Sequence, residues 1–378
     1  MKKNCIGILG GGQLCQMLAE YLTEAGKNVY FIDPSSDPPA KHTKAIHIQK
    51  NYDDFKALDI LISECDVITY EFENIPMESL DYLDKKIDIF PSKYILSISQ
   101  NRLNEKSNFM KCGIKTPSFF KFDKDTNFER ELEKTNIKLP VIIKTNTLGY
   151  DGKGQYHINS KDEIIKKINL LDKNIEYIVE EKIDFIKEFS VIIGRNHNKE
   201  IYCFEPIENI HKNGILDISI SPSRISESIK NKSINLATKF VEKNNLIGIL
   251  TIEMFLDKKN NILFNEIAPR PHNSGHLTRE SHSISQFEML GKILVEDKIQ
   301  KPRVEKNAIM KNILGDFFIN KNYKNVISEI SDAPDHFVKM YHKEEAKIGR
   351  KMGHVTIFTN DIENTIVKIN FLNILFSP

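Results

Sequence analysis

The chain has 378 residues, 40% of them hydrophobic and 28% charged, with a formal net charge of +1. That length suggests two or three domains, and a charge so near zero offers no field for nucleic acid or an acidic membrane surface. No apolar run is long enough to span a bilayer. The cysteines Cys5, Cys15, Cys65, Cys112 and Cys203 have neither zinc-site nor disulfide spacing, which points to a reducing compartment, the cytoplasm.

Segment 1–100 alternates strand and helix. MKKNCIGILGGG reads as a buried first strand rather than a signal peptide, because its apolar run is short and stops at three glycines. GGQLCQMLAEYLTEAG follows as a helix, then NVYFID and DVITYEF as strands. This order predicts a parallel α/β sheet. The loop Gly10-Gly11-Gly12-Gln13 with Asp33 partly matches a dinucleotide fingerprint, but Cys15 stands where the third glycine belongs. A tight turn, or an anion site on free N–H groups at the helix N-terminus, fits better than NAD.

NRLNEKSNFMKCG reads as a helix closed by Gly113, and TPSFFKF as a strand. KLPVIIKTNT, GYDGKGQYHI, SKDEIIKKINLL and EYIVEEKI give strand, glycine turn and strand, helix (Ser160 as N-cap) and strand, a small α+β unit. Lys144 ends the first of these strands, and Gly149, Gly152 and Gly154 follow with Lys153. That pattern suits a lid over phosphates as well as it suits a plain hairpin. Glu180 and Glu181 close the last strand and Glu188 opens the next, where acids are either solvated or accept from a nucleoside.

EFSVIIGR, EIYCFEPI, LIGILTIEMFLD and NILFNEI are predicted strands of a larger antiparallel unit, with a helix over SHSISQFEMLGKILV. HFVKMYHK, GHVTIFT and TIVKINFLN read as short C-terminal strands. If Lys259-Asn260 centres the turn after LTIEMFLD, Glu253 falls opposite Glu266 on one face of the hairpin. Like charges in that position are destabilising, so a hard divalent cation is the favoured reading; one protonated glutamate or a shifted register is the alternative. Two prolines keep the following segment, NEIAPRPHNSGH, irregular. Its Arg270, His272, Asn273, Ser274 and His276 would then flank metal-bound phosphates, and Arg270 can grip an oxyanion with two N–H groups. Lys343, Lys347, Arg350 and Lys351 around Gly349 form a solvated charge run or a phosphate pocket.

The order GILGGGQL, YEFEN, NRLNEK, GYDGKGQ, NEIAPRPHNSGH and GRKMGH resembles the ATP-grasp enzymes, and among them the members that carboxylate aminoimidazole ribonucleotide. The resemblance runs along essentially the whole chain. It implies an ATP-grasp fold: a Rossmann-like pre-ATP-grasp domain (1–100), a linker helix and lid (101–185), a central antiparallel-sheet domain (186–320) and a small β-rich C-terminal portion (321–378). By matching positions it implies that Arg102, Lys144 and the loop Gly149, Tyr150, Asp151, Gly152, Lys153, Gly154 and Gln155 bind ATP phosphates. Glu180, Glu181, Lys182 and Ile183 would frame adenine, Glu188 the ribose, and His211 and Asn265 would share the nucleotide site. Glu253 and Glu266 would hold Mg2+, with room for a second divalent ion. Gln13, Glu73, Tyr150, Asp151, Arg270, His272 and Asn273 would line the aminoimidazole ribonucleotide and bicarbonate site, and Lys343 and Arg350 would bind the 5′-phosphate. The implied chemistry is phosphorylation of bicarbonate to carboxyphosphate, whose carboxyl group passes to the exocyclic amine as released carbon dioxide, with Asp151 a candidate for proton removal. A homodimer is implied too. A formate-using ligase of the same fold is the nearest alternative. Cys15 in place of glycine is a departure from the family's loop.

Overall fold

The structure is a computed structural model and describes residues 3–147, 149, 154–320, 323–360 and 362–376. Three sheets organise it. The N-terminal sheet is parallel, in the order β3 (Ile46–Ile48), β2 (Asn28–Ile32), β1 (Cys5–Leu9) and β4 (Val67–Tyr70). Every residue of β1 and β4 is buried, as expected for strands covered by helices on both faces.

A second, antiparallel sheet has the order β5 (Phe119–Phe122), β8 (Tyr177–Glu181), β6 (Val141–Thr145) and β7 (Gln155–Ile158). Phe120, Phe122, Phe128, Ile143, Tyr177 and Val179 form its own small core. Ser160 sits at the N-cap of the helix Lys161–Ile168 as predicted, but its side chain makes no cap bond. Glu163 instead reaches back to the Asn159 N–H.

The third sheet has nine antiparallel strands. These are β9 (Phe185–Arg195), β10 (Ile201–Cys203), β11 (Ile207–Lys212), β12 (Ile215–Ser221), β13 (Gly248–Asp257), β14 (Ile262–Ala268), β15 (Ala308–Leu314), β16 (His336–Met340) and β17 (Lys351–Phe358). Along the sheet the path is β14-β13-β9-β11-β12-β15-β17-β16, with β10 paired to β9. β14 is therefore an edge strand. EIYCFEPI, expected as one strand, divides into β10 and the start of β11, both along β9, with a break that includes Pro206, which has no N–H to give the ladder.

HFVKMYHK and GHVTIFT are strands as expected, and β15 carries them onto the large sheet as β16 and β17. TIVKINFLN is not a strand but part of the helix Ile362–Leu375. Its apolar residues run around the whole helix: Leu372 is buried while Val367 and Ile374 are exposed, so no period distinguished the two states. The helix expected from Ser281 begins at Gln286, where Ser285 caps the Glu288 N–H. Among the described residues, no helix is long and apolar enough to cross a membrane.

Candidate active site

The glycine loop after β1 meets carboxylates of the protein itself. Gly12 and Cys15 both donate their N–H groups to the carboxylate of Glu71. Gly11 donates to Asp33 Oδ2 at 2.8 Å, and Tyr52 caps the same oxygen at 3.0 Å. The helix Gln13–Glu24 has no side-chain cap of its own, so Glu71, arriving from the end of β4, supplies it. Gly10, at φ +104°, and Gly12 leave room for this: a Cβ there would lie 2.4 Å from Glu71 Cγ and 2.5 Å from Glu71 Oε1. The N–H groups of Gly10, Gly11, Gly12 and Cys15 are thus already used. Gln13 opens the helix and is half-buried.

The chemistry gathers instead at the end of β14. The β13–β14 turn spans Lys258–Asn260, with Asn260 N–H donating to the Asp257 carbonyl and Asn260 at φ +57°. It centres on Lys259, not between Lys259 and Asn260. Near the turn Met254 pairs with Phe264 and Phe255 with Leu263, a register that would set Glu253 against Asn265. A bulge then shifts the ladder, and Glu253 pairs with Glu266, Ile252 with Ile267 and Thr251 with Ala268. The two carboxylates face each other as expected, by a route the simple turn does not supply.

Glu266 has a counter-charge in Arg102, and Glu253 a hydrogen-bond partner in His272. Arg102 Nη1 donates to Glu266 Oε2 at 2.9 Å, and Arg102 Nη2 to the Gly149 carbonyl at 3.3 Å. His272 Nε2 lies 3.1 Å from Glu253 Oε1. Burial opposes the charge on Glu253, but His272, His211 and Lys351 outweigh it and hold its carboxyl down to about 2. The other nitrogen of His272, Nδ1, accepts from the Ser274 N–H at 3.3 Å, which fixes Nε2 as the protonated side facing Glu253. Ser274 Oγ lies 2.7 Å from Ser190 Oγ, tying the loop to β9.

The loop residues are anchored in turn. Arg270 Nη2 is 2.8 Å from Glu73 Oε1, which joins the N-terminal unit to the loop. Asn273 and Asn312 exchange amide hydrogen bonds at 3.0 and 2.6 Å, and the tilted rings of His276 and His354 have their centres 5.0 Å apart. The loop is thus seated on β15 and β17. Arg350 is exposed and donates to the Glu345 carbonyl, while Lys343 donates to the Lys351 carbonyl and lies 5.5 Å from the Tyr341 ring centre.

On the nucleotide side, Lys144 is buried and donates to Glu180 Oε2 at 2.7 Å. Glu180 is buried as well, whereas Glu181 and Lys182 are exposed and Ile183 half-buried. Glu181 N–H donates to the Ser118 carbonyl and Lys182 N–H to that of Pro140. Glu188 Oε2 and His211 Nδ1 are 2.8 Å apart. Burial disfavours charge on His211, but Glu188, Glu253 and Glu266 push it up to about 9. Gly154 and Gln155 lead into β7. Tyr150, Asp151, Gly152 and Lys153 lie outside the described residues, so the expectations placed on them stay as expectations.

Two buried residues were not anticipated. Lys106 Nζ is 3.5 Å from Glu180 Oε1 and donates to the Asn265 carbonyl at 2.7 Å, and Glu105 Oε1 accepts from the Ile267 N–H. The signal was available in NRLNEK, since Arg102, Glu105 and Lys106 share one helix face.

The residues present fit a hard divalent ion. Glu253 and Glu266 offer opposed carboxylates, and Asn265 Oδ1 is buried with no hydrogen-bond partner, so the donors are all oxygen. Glu188, His211 and Glu253 also bring ligand atoms within 4.8 Å of one another. There the imidazole already holds a proton against Glu188, so the oxygen set around the bulge is the better fit for magnesium.

Residues 1–100 match the ribonucleotide synthetase preATP-grasp domain family, 107–287 the ATP-grasp domain family, and 308–368 the phosphoribosylaminoimidazole carboxylase C-terminal domain family. Fold and site thus define an ATP-grasp ligase. The chain is 37% identical to the N5-carboxyaminoimidazole ribonucleotide synthase of Staphylococcus aureus strain COL, over 95% of this chain and 94% of that one. The crystal structure of the S. aureus N5-carboxyaminoimidazole synthetase complexed with ADP superposes with a TM-score of 0.90, at 35% identity over 97% of this chain and 96% of that one. That of the Aspergillus clavatus synthase in complex with ADP and 5-aminoimidazole ribonucleotide gives 0.88, at 26% identity over 98% of each chain. The chain belongs to the N5-carboxyaminoimidazole ribonucleotide synthase family.

Proposed function

We propose that this chain uses ATP to carboxylate 5-aminoimidazole ribonucleotide with bicarbonate in purine biosynthesis, giving 5-carboxyaminoimidazole ribonucleotide, ADP and phosphate. The observation that carries the reading beyond family membership is the join between Arg270 and Glu73, because it brings the N-terminal unit to the loop that follows Glu266, beside the Glu253–Glu266 pair. A bicarbonate oxygen attacks the γ-phosphorus and ADP leaves. The amine nitrogen then takes the carboxyl carbon, as carbon dioxide released from carboxyphosphate, and loses a proton. Arg102 and Lys144 hold the phosphates, and both are kept in place by carboxylates that ATP oxygens can supplement or replace. A magnesium ion held by Glu253, Glu266 and Asn265 would neutralise charge on the transferring phosphoryl group. Arg270 and His272 orient bicarbonate and the aminoimidazole, with Glu73, Gln13 and Asn273 lining that side and Lys343 and Arg350 taking the 5′-phosphate. Glu180 to Ile183, Glu188 and His211 receive adenosine. The 101–185 lid excludes water while carboxyphosphate exists. We extend the reading to a cytoplasmic homodimer.

The test is ADP release with labelled bicarbonate. The purified chain is given magnesium-ATP with and without aminoimidazole ribonucleotide. Release that needs the nucleotide substrate, with label entering an acid-labile carbamate, supports the proposal. Release that needs formate and another amine instead would sink it.

A further inference from the structure

β14 is an edge strand, and an edge strand leaves one row of main-chain groups without a ladder partner. Here those groups are answered from outside the sheet. Phe264 N–H donates to the Lys115 carbonyl, and the Phe264 carbonyl accepts from Thr116 Oγ1 at 2.8 Å. Beyond that point the partners are side chains of the helix Arg102–Lys111. Lys106 Nζ donates to the Asn265 carbonyl at 2.7 Å, and Glu105 Oε1 accepts from the Ile267 N–H at 2.7 Å. Arg102, one turn earlier, takes the Glu266 carboxylate between them. Glu105 and Lys106 are 2% and 0% exposed, so neither is a solvated surface charge that happens to reach a carbonyl.

The gripped groups flank the place where the ladder changes register. A bulge leaves unpaired main-chain groups and is stable only where something satisfies them. Without the shift, Glu253 would oppose Asn265 and the carboxylate of Glu266 would move out of line with it. We propose that Glu105 and Lys106 are positioning residues that hold the Asn265 bulge and thereby fix Glu266 opposite Glu253. They act through the main chain and not on the reactants. The inference rests on the ligase reading, and on Glu253 and Glu266 as the metal carboxylates. Burial pushes Glu105 up to about 8 and Lys106 down, so the pair is held in a place that disfavours charge on either. Bonding to the strand offsets part of that cost.

The experiment measures binding of Mn2+ to the full chain by electron paramagnetic resonance, with a non-hydrolysable ATP analogue present. It compares Glu105→Leu with Glu105→Gln, which keeps an acceptor oxygen, and Lys106→Met with Lys106→Arg, which keeps a donor. Hydrogen exchange at the Ile267 amide is followed in the same proteins. Removing either grip is expected to weaken Mn2+ binding by roughly tenfold and to speed exchange at Ile267, with the conservative variants near wild type. Binding of the analogue alone, in chelator, is expected to change by less than about twofold in Glu105→Leu. If Leu and Gln at 105 behave alike, or if the analogue alone weakens as much as Mn2+ does, the inference falls. Should Lys106→Met fail to fold, the pair at 105 decides. Wild type that does not bind Mn2+ would instead overturn the metal reading beneath it, and wild type that binds Mn2+ but does not carboxylate would overturn only the substrate.

Discussion

Glu253 stands opposite Glu266 because the ladder between them steps by one residue at Asn265. Each carboxylate is already matched, to His272 and to Arg102, so the pair is stable before any ion arrives. Glu266→Gln is therefore expected to have two separable effects. It leaves the buried Arg102 short of its partner, a loss of about 1–3 kcal/mol in urea unfolding. It also lowers the ligase rate by about 10²–10³-fold and raises the magnesium concentration needed for half-maximal rate. A variant that lost stability but kept its magnesium dependence would remove Glu266 from the metal site.

Glu180 lies between Lys144 and Lys106. Burial would raise its pKa, but Lys106, Lys144 and Arg102 outweigh burial and hold it down to about 2. A carboxyl lowered in the folded state contributes stability that is present above its unfolded value and lost as pH falls toward the folded one. Roughly 3 kcal/mol should disappear between about pH 4.5 and pH 2 from this group. Glu180→Gln leaves two buried ammonium groups without their counter-charge and should cost about 3–5 kcal/mol at neutral pH. Equal unfolding midpoints for variant and wild type would contradict the pairing.

Much of this was legible in the sequence, and the gaps have physical causes. Alternation of strand and helix gave the parallel sheet. The two glutamates fell opposite each other from a turn placed between Lys259 and Asn260, whereas the hairpin, centred on Lys259, needs a bulge to pair them. The bulge was not legible, because it depends on Lys106 and Glu105, more than a hundred and fifty residues away from the carbonyl and amide they bind. The same holds for Glu71. A glycine loop before a helix looks alike whether its N–H groups await a phosphate or meet a carboxylate from the end of the neighbouring strand β4. Gly10 and Gly12 are small here to admit a side chain of the protein itself. The C-terminal helix was misread because its apolar residues follow no single face.

Glu71 supplies a further prediction. Glu71→Ala removes the acceptor for two N–H groups at the start of the helix Gln13–Glu24. It should lower stability by about 1–3 kcal/mol. Wild type should show no heat of NAD binding by calorimetry, since Glu71 and Asp33 occupy the loop and repel a pyrophosphate. Detectable NAD binding at micromolar protein would refute this account of the loop.

The buried histidines set the acid limit of the fold. Burial pushes His282 down to about 4 and, with Arg279 and Lys339 nearby, His354 down to about 3. It lowers His276 too, assisted by His354 and His272. All three are neutral in the folded chain and take up protons on unfolding below their usual value near 6.5. The unfolded state then binds more protons, so stability falls as pH falls through that window. His282 alone accounts for up to about 3 kcal/mol between pH 6.5 and pH 4. Glu280 works in the opposite sense, because burial holds it up to about 7 and folding then favours its protonated form between that value and 4.5. Glu105, held up to about 8, and Glu71 and Glu188, also raised by burial, act in the same sense as Glu280, so these carboxyls offset part of what the imidazoles contribute. Urea unfolding at about pH 7 and about pH 5 reads the His282 share directly: His282→Gln should lose less of its midpoint than wild type on going to the acid value. A difference unchanged in His282→Gln would mean that this imidazole takes up no extra proton on unfolding, and that the slope arises elsewhere.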